Sequence, residues 1–289
     1  MSGLAAAAAV AGLDAGFVAG ISWVPESALG ALAYGTAPSG PAESLVTVVS
    51  ALELDFAFVP GDVVWAVEAV ELLHDSGAAA FWSVPGVLGR LGEELGWVET
   101  LKLTAAEPGA LAAPLASALH DALDAVRSGL DAGADAIVIA DDLAGPSGLL
   151  VSPDFVLDAL VPCYHSLARE TFAGGGTAVF HADGDVRAFM PALAKAGFSA
   201  IHLGQLTESE FDASLAAARA SSLVVVGGID VSRLLEGARH LGARAGAAAS
   251  AGGLVVCDDG GFTLAEEIAA YSTAVEAARD AYGDDGGAA

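Results

Sequence analysis

The sequence predicts an α/β protein, a single (β/α)8 barrel, on three observations. Short apolar runs recur along the chain, helix-length stretches with apolar residues at three- and four-residue spacing separate them, and residues able to do chemistry follow several of the runs. With 289 residues, 54% of them hydrophobic, and no internal Pro- or Ser-rich linker, the chain suits one large core.

Residues 1–50 are expected to form a mostly helical extension, 51–282 the barrel and 283–289 a frayed tail. The opening MSGLAAAAAVAGL has no basic n-region, and Asp14 and several glycines interrupt the next apolar stretch, so it does not read as a signal peptide. Strands are expected at Asp55–Pro60, Ala79–Val84, Asp135–Ala140, Ala178–His181, Ala200–Leu203, Leu223–Val226 and Leu254–Cys257. Phe17–Ser22 or Trp97–Leu103 would supply the eighth. Several runs are apolar throughout, as suits strands buried on both faces under helices. An open doubly wound sheet shares that pattern, but no GxGxxG or GxxxxGK[ST] follows the first strand, which favours the barrel. Helices are expected over Val63–Leu73, Val186–Ala196 and Ser232–Leu241. Thr207, Ser232 and Thr263 are candidate N-caps, with Glu210 and Glu266 completing capping boxes, and Gly77, Gly133, Gly197 and Gly252–Gly253 stand where helices should end.

The charge excludes some partners. With 37 acidic against 11 basic residues, the net charge of −26 repels nucleic-acid phosphates and anionic lipid. No uninterrupted apolar run is long enough for a membrane span, and two cysteines are too few for a disulfide framework, so a reducing cytoplasm is the expected setting.

Candidate site residues cluster at strand ends. Asp141 and Asp142 close the DAIVIA strand, where one carboxylate could act on substrate while the other accepts loop N–H groups. Ser152 opens a helix before Pro153 in the small-residue loop beyond and is a candidate substrate contact. His181 and Asp183, two apart after the next strand, could share one pocket as hydrogen-bonding groups or as part of a metal ligand set completed by Cys257, Asp258 or Asp259. Gly228 permits close backbone approach to a ligand, Asp230 is either a ligand contact or a cap, and Gln205 is a pocket contact. Cys163 is expected to be structural.

GADAIVIADDLAGPSGLLVSPDFVLDALVP, VFHADGDVRAFMPALAKAGFSAIHLGQL, VVVGGIDVSRLL and GGLVVCDDGGFTLAEEI resemble, in order, successive blocks of the uroporphyrinogen decarboxylase (URO-D) superfamily, over about Asp55 to Tyr271. The resemblance implies a (β/α)8 (TIM) barrel. The superfamily includes the decarboxylase of haem synthesis and cobalamin-dependent methyltransferases of the methylcobalamin:coenzyme M type. The decarboxylase branch binds its polycarboxylate substrate with an R-x-x-G-R segment near the N-terminus, whereas here no Lys or Arg precedes Arg90, and only Arg187 and Arg233 fall near the candidate residues. The methyltransferase branch holds zinc with H-x-C and a later cysteine. His181 matches the histidine, Asp183 stands for the first cysteine, and the later position falls on or near Gly260, with Cys257 three residues before it.

The resemblance therefore implies a corrinoid-linked methyltransferase acting on a small acceptor, with zinc, if bound, on His181, Asp183 and Cys257. No D-x-H-x-x-G motif occurs, so the corrinoid would come on a partner protein. Two alternatives stay open. One is decarboxylation of a porphyrinogen or smaller acid, with Asp142 stabilising a protonated pyrrole-type nitrogen. The other is a catalytically silent ligand-binding barrel, in keeping with the altered cysteine positions.

Overall fold

The computed structural model describes residues 3–12, 16–26, 40–145 and 147–285. The strands of its larger sheet are β1 (Gly20–Ile21), β2 (Phe56–Pro60), β3 (Ala79–Pro85), β4 (Ala136–Ala140), β5 (Thr177–Asp183), β6 (Ala200–Gly204), β7 (Val224–Ile229) and β8 (Leu254–Asp258). They lie in chain order in one eight-stranded sheet, with helices between successive strands, and form the (β/α)8 barrel. Phe17–Ser22 supplies the eighth strand, inside the 1–50 segment expected as a helical extension, whereas Trp97–Ala106 is a helix. The C-terminal helix Ala265–Asp285 runs into the expected tail, and residues 286–289 lie outside the described ones.

The chain divides into two compact units, residues 1–81 with 224–289, and residues 82–223. In the first, β1 pairs in parallel with β2 and β7 with β8. Ala19 bridges Val256 of β8, so the first strand region meets the last. Asp258 fastens this junction by accepting from Ser22 N at 2.7 Å, from Ser22 Oγ and from Gly260 N at 2.8 Å. The core packs Phe56 on Phe81 with centroids 4.4 Å apart, and Trp23 edge-on to Phe58 at 4.9 Å.

In the second unit, β4 pairs with β5 and β5 with β6, all in parallel. The first four residues of β4, AIVI, are fully buried, the burial that an unbroken apolar run anticipates. Tyr164, Phe180 and Phe198 form an edge-to-face cluster behind β5. The β5/β6 register sets His181 opposite His202 and Asp183 opposite Gly204, and this positions the candidate site.

Local signals fared unevenly. Thr207 caps Glu208–Ala220 with the full capping box to Glu210, and Gly77 and Gly197 end their helices in the left-handed conformation. Ser232 is not a cap, because Asp230 accepts from its N–H, and Thr263 is served by Glu267 instead of Glu266. The first expected helix is displaced to Ala66–Ser76, and the last runs on to Ser250 across a kink at Gly237. Among the described residues no helix is long and apolar enough to cross a membrane.

Candidate active site and metal centre

Asp141 and Asp142 leave the end of β4 in different directions. Asp141 is buried and accepts from Leu88 N at 2.9 Å, Gly89 N at 2.6 Å and the Tyr164 hydroxyl at 2.7 Å. Leu88 and Gly89 lie in the first turn of the helix Val87–Leu95, whose amides have no intrahelical acceptor. Gly86 must be glycine, since a Cβ there would overlap the Asp141 carboxyl. Burial raises the Asp141 pKa to about 6, against the pull of the three hydrogen bonds. Of the two roles expected for this acid pair, Asp141 has the surroundings of the one that accepts N–H groups: its carboxylate caps a helix from a neighbouring strand.

Asp142 faces β5 and, through Oδ1, accepts from Asp183 N at 3.0 Å. His181 Nε2 lies 3.9 Å from Asp142 Oδ1 and 3.8 Å from Asp183 Oδ1. Asp142, His181 and Asp183 each offer a ligand atom, all within 4.8 Å of one another. The Asp142 side chain is 47% exposed, so the group is open to a ligand from solvent.

Burial lowers the His181 pKa to about 4, with a hydrogen bond to the His202 backbone acting in the opposite direction, so the ring is uncharged at neutral pH. Its Nδ1 lies 2.8 Å from Nδ1 of the fully buried His202. Burial, and secondarily the charge of Asp142, raises the Asp183 pKa to about 6, while Gln205 pulls it down. Gln205 Nε2 donates to Asp183 Oδ2, leaving Oδ1 toward His181, and Gln205 takes φ 53°, a conformation unusual outside glycine.

The remaining expected residues have other surroundings. Cys257 is fully buried, its thiol pKa raised well above the ordinary value by burial and by Asp258, and it has no place in the metal-ligand group; Asp142 is the third donor instead. Asp230 accepts from Ser232 N at 3.0 Å and Ser232 Oγ at 2.6 Å, and so serves as a cap. Ser152 caps its helical turn by accepting from Phe155 N at 3.2 Å. Gly228, half-buried at φ 101°, pairs with Cys257 in the sheet. Cys163 is a free thiol whose Sγ donates to Ala159 O at 3.4 Å. The structure adds His202, whose signal was a lone imidazole inside the apolar run AIHLG.

Two carboxylates beside an uncharged imidazole form an excess of negative charge, which adds to the larger effect of burial in raising the Asp183 pKa. The donor set, one nitrogen and two carboxylates, fits a divalent cation such as zinc, manganese or iron(II) with positions left for a ligand. It does not fit a zinc site built on thiolates.

The sequence profile of uroporphyrinogen decarboxylase (URO-D) matches residues 77–252. No curated protein sequence matches the chain. Among solved structures, a methyltransferase from Methanosarcina mazei is similar, with a TM-score of 0.69 at 18% identity, covering 96% of this chain and 98% of that one. A D-psicose 3-epimerase from Clostridium cellulolyticum H10 aligns with a TM-score of 0.55 at 12% identity, covering 93% and 98% of the two chains. A chitinase from Chromobacterium violaceum aligns with a TM-score of 0.54 at 10% identity, covering 90% and 99%. At these identities the likeness to each structure is one of fold. The profile spans well over half of the sequence, including β4 to β7 and all three residues of the open donor group, and the chain belongs to the uroporphyrinogen decarboxylase family.

Proposed function

We propose that the protein is a corrinoid-linked methyltransferase, passing a methyl group between a cobalamin carried on a partner protein and a small acceptor held at Asp142, His181 and Asp183. The supporting observation is the convergence of these three donors at the ends of β4 and β5, in a family fold similar to that of a methyltransferase. A divalent cation bound there would supply Lewis acidity toward the acceptor. His181, uncharged, offers a lone pair at a buried nitrogen. Asp183, whose pKa is raised to about 6 in the cation-free protein, would be held ionised as a ligand of that cation. Gln205 holds one oxygen of Asp183 and thereby orients the other.

Decarboxylation of a polyanionic porphyrinogen is less well served. It needs cations to hold several carboxylates, whereas Arg187 is engaged by Asp185 through contacts of 2.8 and 2.5 Å.

The test is the metal content of untagged protein purified without chelator, for wild type and His181→Ala, with methylcobalamin consumption followed over a panel of small acceptors. The expected result is about one divalent ion per chain, lost in the variant together with at least about a 100-fold fall in methyl transfer. Carbon dioxide release from a porphyrinogen without methyl transfer would overturn the proposal in favour of the decarboxylase. Ligand binding that survives His181→Ala, with no turnover of any donor, would mark a silent barrel.

A further inference from the structure

The connection that leaves Asp142 carries a second, smaller sheet. Ala144–Gly145 and Gly148–Leu149 form an antiparallel hairpin, with Ala144 paired to Leu149 and Gly145 to Gly148, and Leu150 N donates to Leu143 O at 2.9 Å beside it. Leu143 is fully buried and Val151 nearly so, which anchors the hairpin on both sides. Its first strand rests on the turn that follows Asp183: a Cβ at Gly184, whose φ is 73°, would stand 3.1 Å from Ala144 Cβ and from Gly145 N. The hairpin therefore starts next to one donor and lies against the chain just beyond another, all within the unit of residues 82–223.

Register decides which way its leucines point. Paired residues of an antiparallel ladder project to the same face, and consecutive residues to opposite faces. Leu149 shares a face with Ala144, the face set against the Gly184 turn beside the donor group. Leu150 lies on the other face, where its Cδ2 would meet a Cβ on Gly145 at 3.7 Å. Leu149 is nevertheless 41% exposed, whereas Ala144 is buried. An exposed leucine alone is ordinary on a protein surface. This one adjoins an open polar group in which Asp142 is half-exposed, and an apolar side chain at the edge of such a group offers a bound ligand a surface from which water is displaced.

We propose that Leu149 is a specificity-determining residue of this site: it forms an apolar wall beside Asp142, His181 and Asp183, and selects an acceptor that carries a short apolar group next to the atoms held by the cation. The polar end of such a ligand meets the cation and its apolar end covers Leu149, so affinity rises with the apolar area that the two bury together. The inference rests on the cation reading of the function proposed above, and adds which acceptors that site prefers.

The experiment is calorimetric binding of acetohydroxamate and hexanohydroxamate to the zinc-loaded protein, as wild type, Leu149→Ser and Leu150→Ser. The two probes hold a cation through the same pair of oxygens and differ only in chain length. Both substitutions fall on side chains 41% and 40% exposed, where folding tolerates a polar residue. Expected is a preference of about 10-fold for the longer chain in wild type and in Leu150→Ser, falling below about 3-fold in Leu149→Ser, with acetohydroxamate affinity the same in all three. A preference that survives in Leu149→Ser, that is lost equally in Leu150→Ser, or that wild type lacks, overturns the proposal while leaving the cation reading intact, since zinc and acetohydroxamate would still bind. A wild type that takes up no zinc overturns the cation reading, and this inference falls with it.

Discussion

Consecutive side chains leave an extended segment on opposite sides, which is why the neighbours Asp141 and Asp142 do different work. Asp141→Ala would strand a buried amide, a half-buried amide and a buried hydroxyl, so it should cost about 3 kcal/mol in urea unfolding. Asp142→Ala, at a half-exposed side chain, should cost less than about 1 kcal/mol while removing cation binding. A larger stability loss at Asp142 than at Asp141 would reverse these assignments. Asp259 offers a pH test away from the donor group. Its pKa is raised to about 7, first by burial and further by Asp258 and Asp230, while Val231 N donates to it at 2.9 Å. The folded state therefore holds this proton more tightly than the unfolded chain, so the contribution to stability is fully present below about pH 4 and is lost as pH rises through about 7. Asp259→Asn retains an acceptor oxygen without the charge. The variant should gain on wild type by about 1–2 kcal/mol between pH 5 and pH 8, after discounting for partial exposure. Parallel stability–pH curves for the two proteins would refute this.

At the scale of elements, the helix Leu234–Ser250 packs against Ala265–Asp285 through Gly242 and Gly246, one turn apart. A Cβ at either glycine would overlap the backbone carbonyl of Ala274 or Ala278, and a backbone cannot step aside as a side-chain end can. Gly246→Ala should therefore destabilise by about 1–3 kcal/mol, although alanine is the better helix former by about 1 kcal/mol in an isolated helix. A stabilised variant in urea denaturation would show that the two helices separate freely. Capping signals were legible where both partners lie within one turn, as in Thr207 and Glu210. They were misread where a nearby acid competed, as Asp230 does at Ser232 and Glu267 at Thr263.

For the whole molecule, a net charge of −26 means that folding gathers like charges together. The unfolding temperature should rise by a few degrees between about 0.05 M and about 1 M KCl, as the Debye length falls from more than 10 Å to about 3 Å. A flat or falling response would mean that the described ion pairs, such as Arg127 with Asp124 and Glu170, outweigh the repulsion.

The strands, their parallel order and the family were legible because they depend on properties repeated along the chain: unbroken apolar runs, helical spacing between them and glycines at the joints. His181 and Asp183 were legible for a related reason, since a spacing of two on a strand is a local fact. Which carboxylate joins them was not. Cys257 lies near in the pattern of motifs but is sealed in the core, and Asp142 arrives from β4 through strand pairing. His202 stands 21 residues from His181 and became its partner only through the β5/β6 register. Local periodicity determines what a segment becomes, but the meeting of side chains from different segments depends on register and burial, which exist only once the chain has folded.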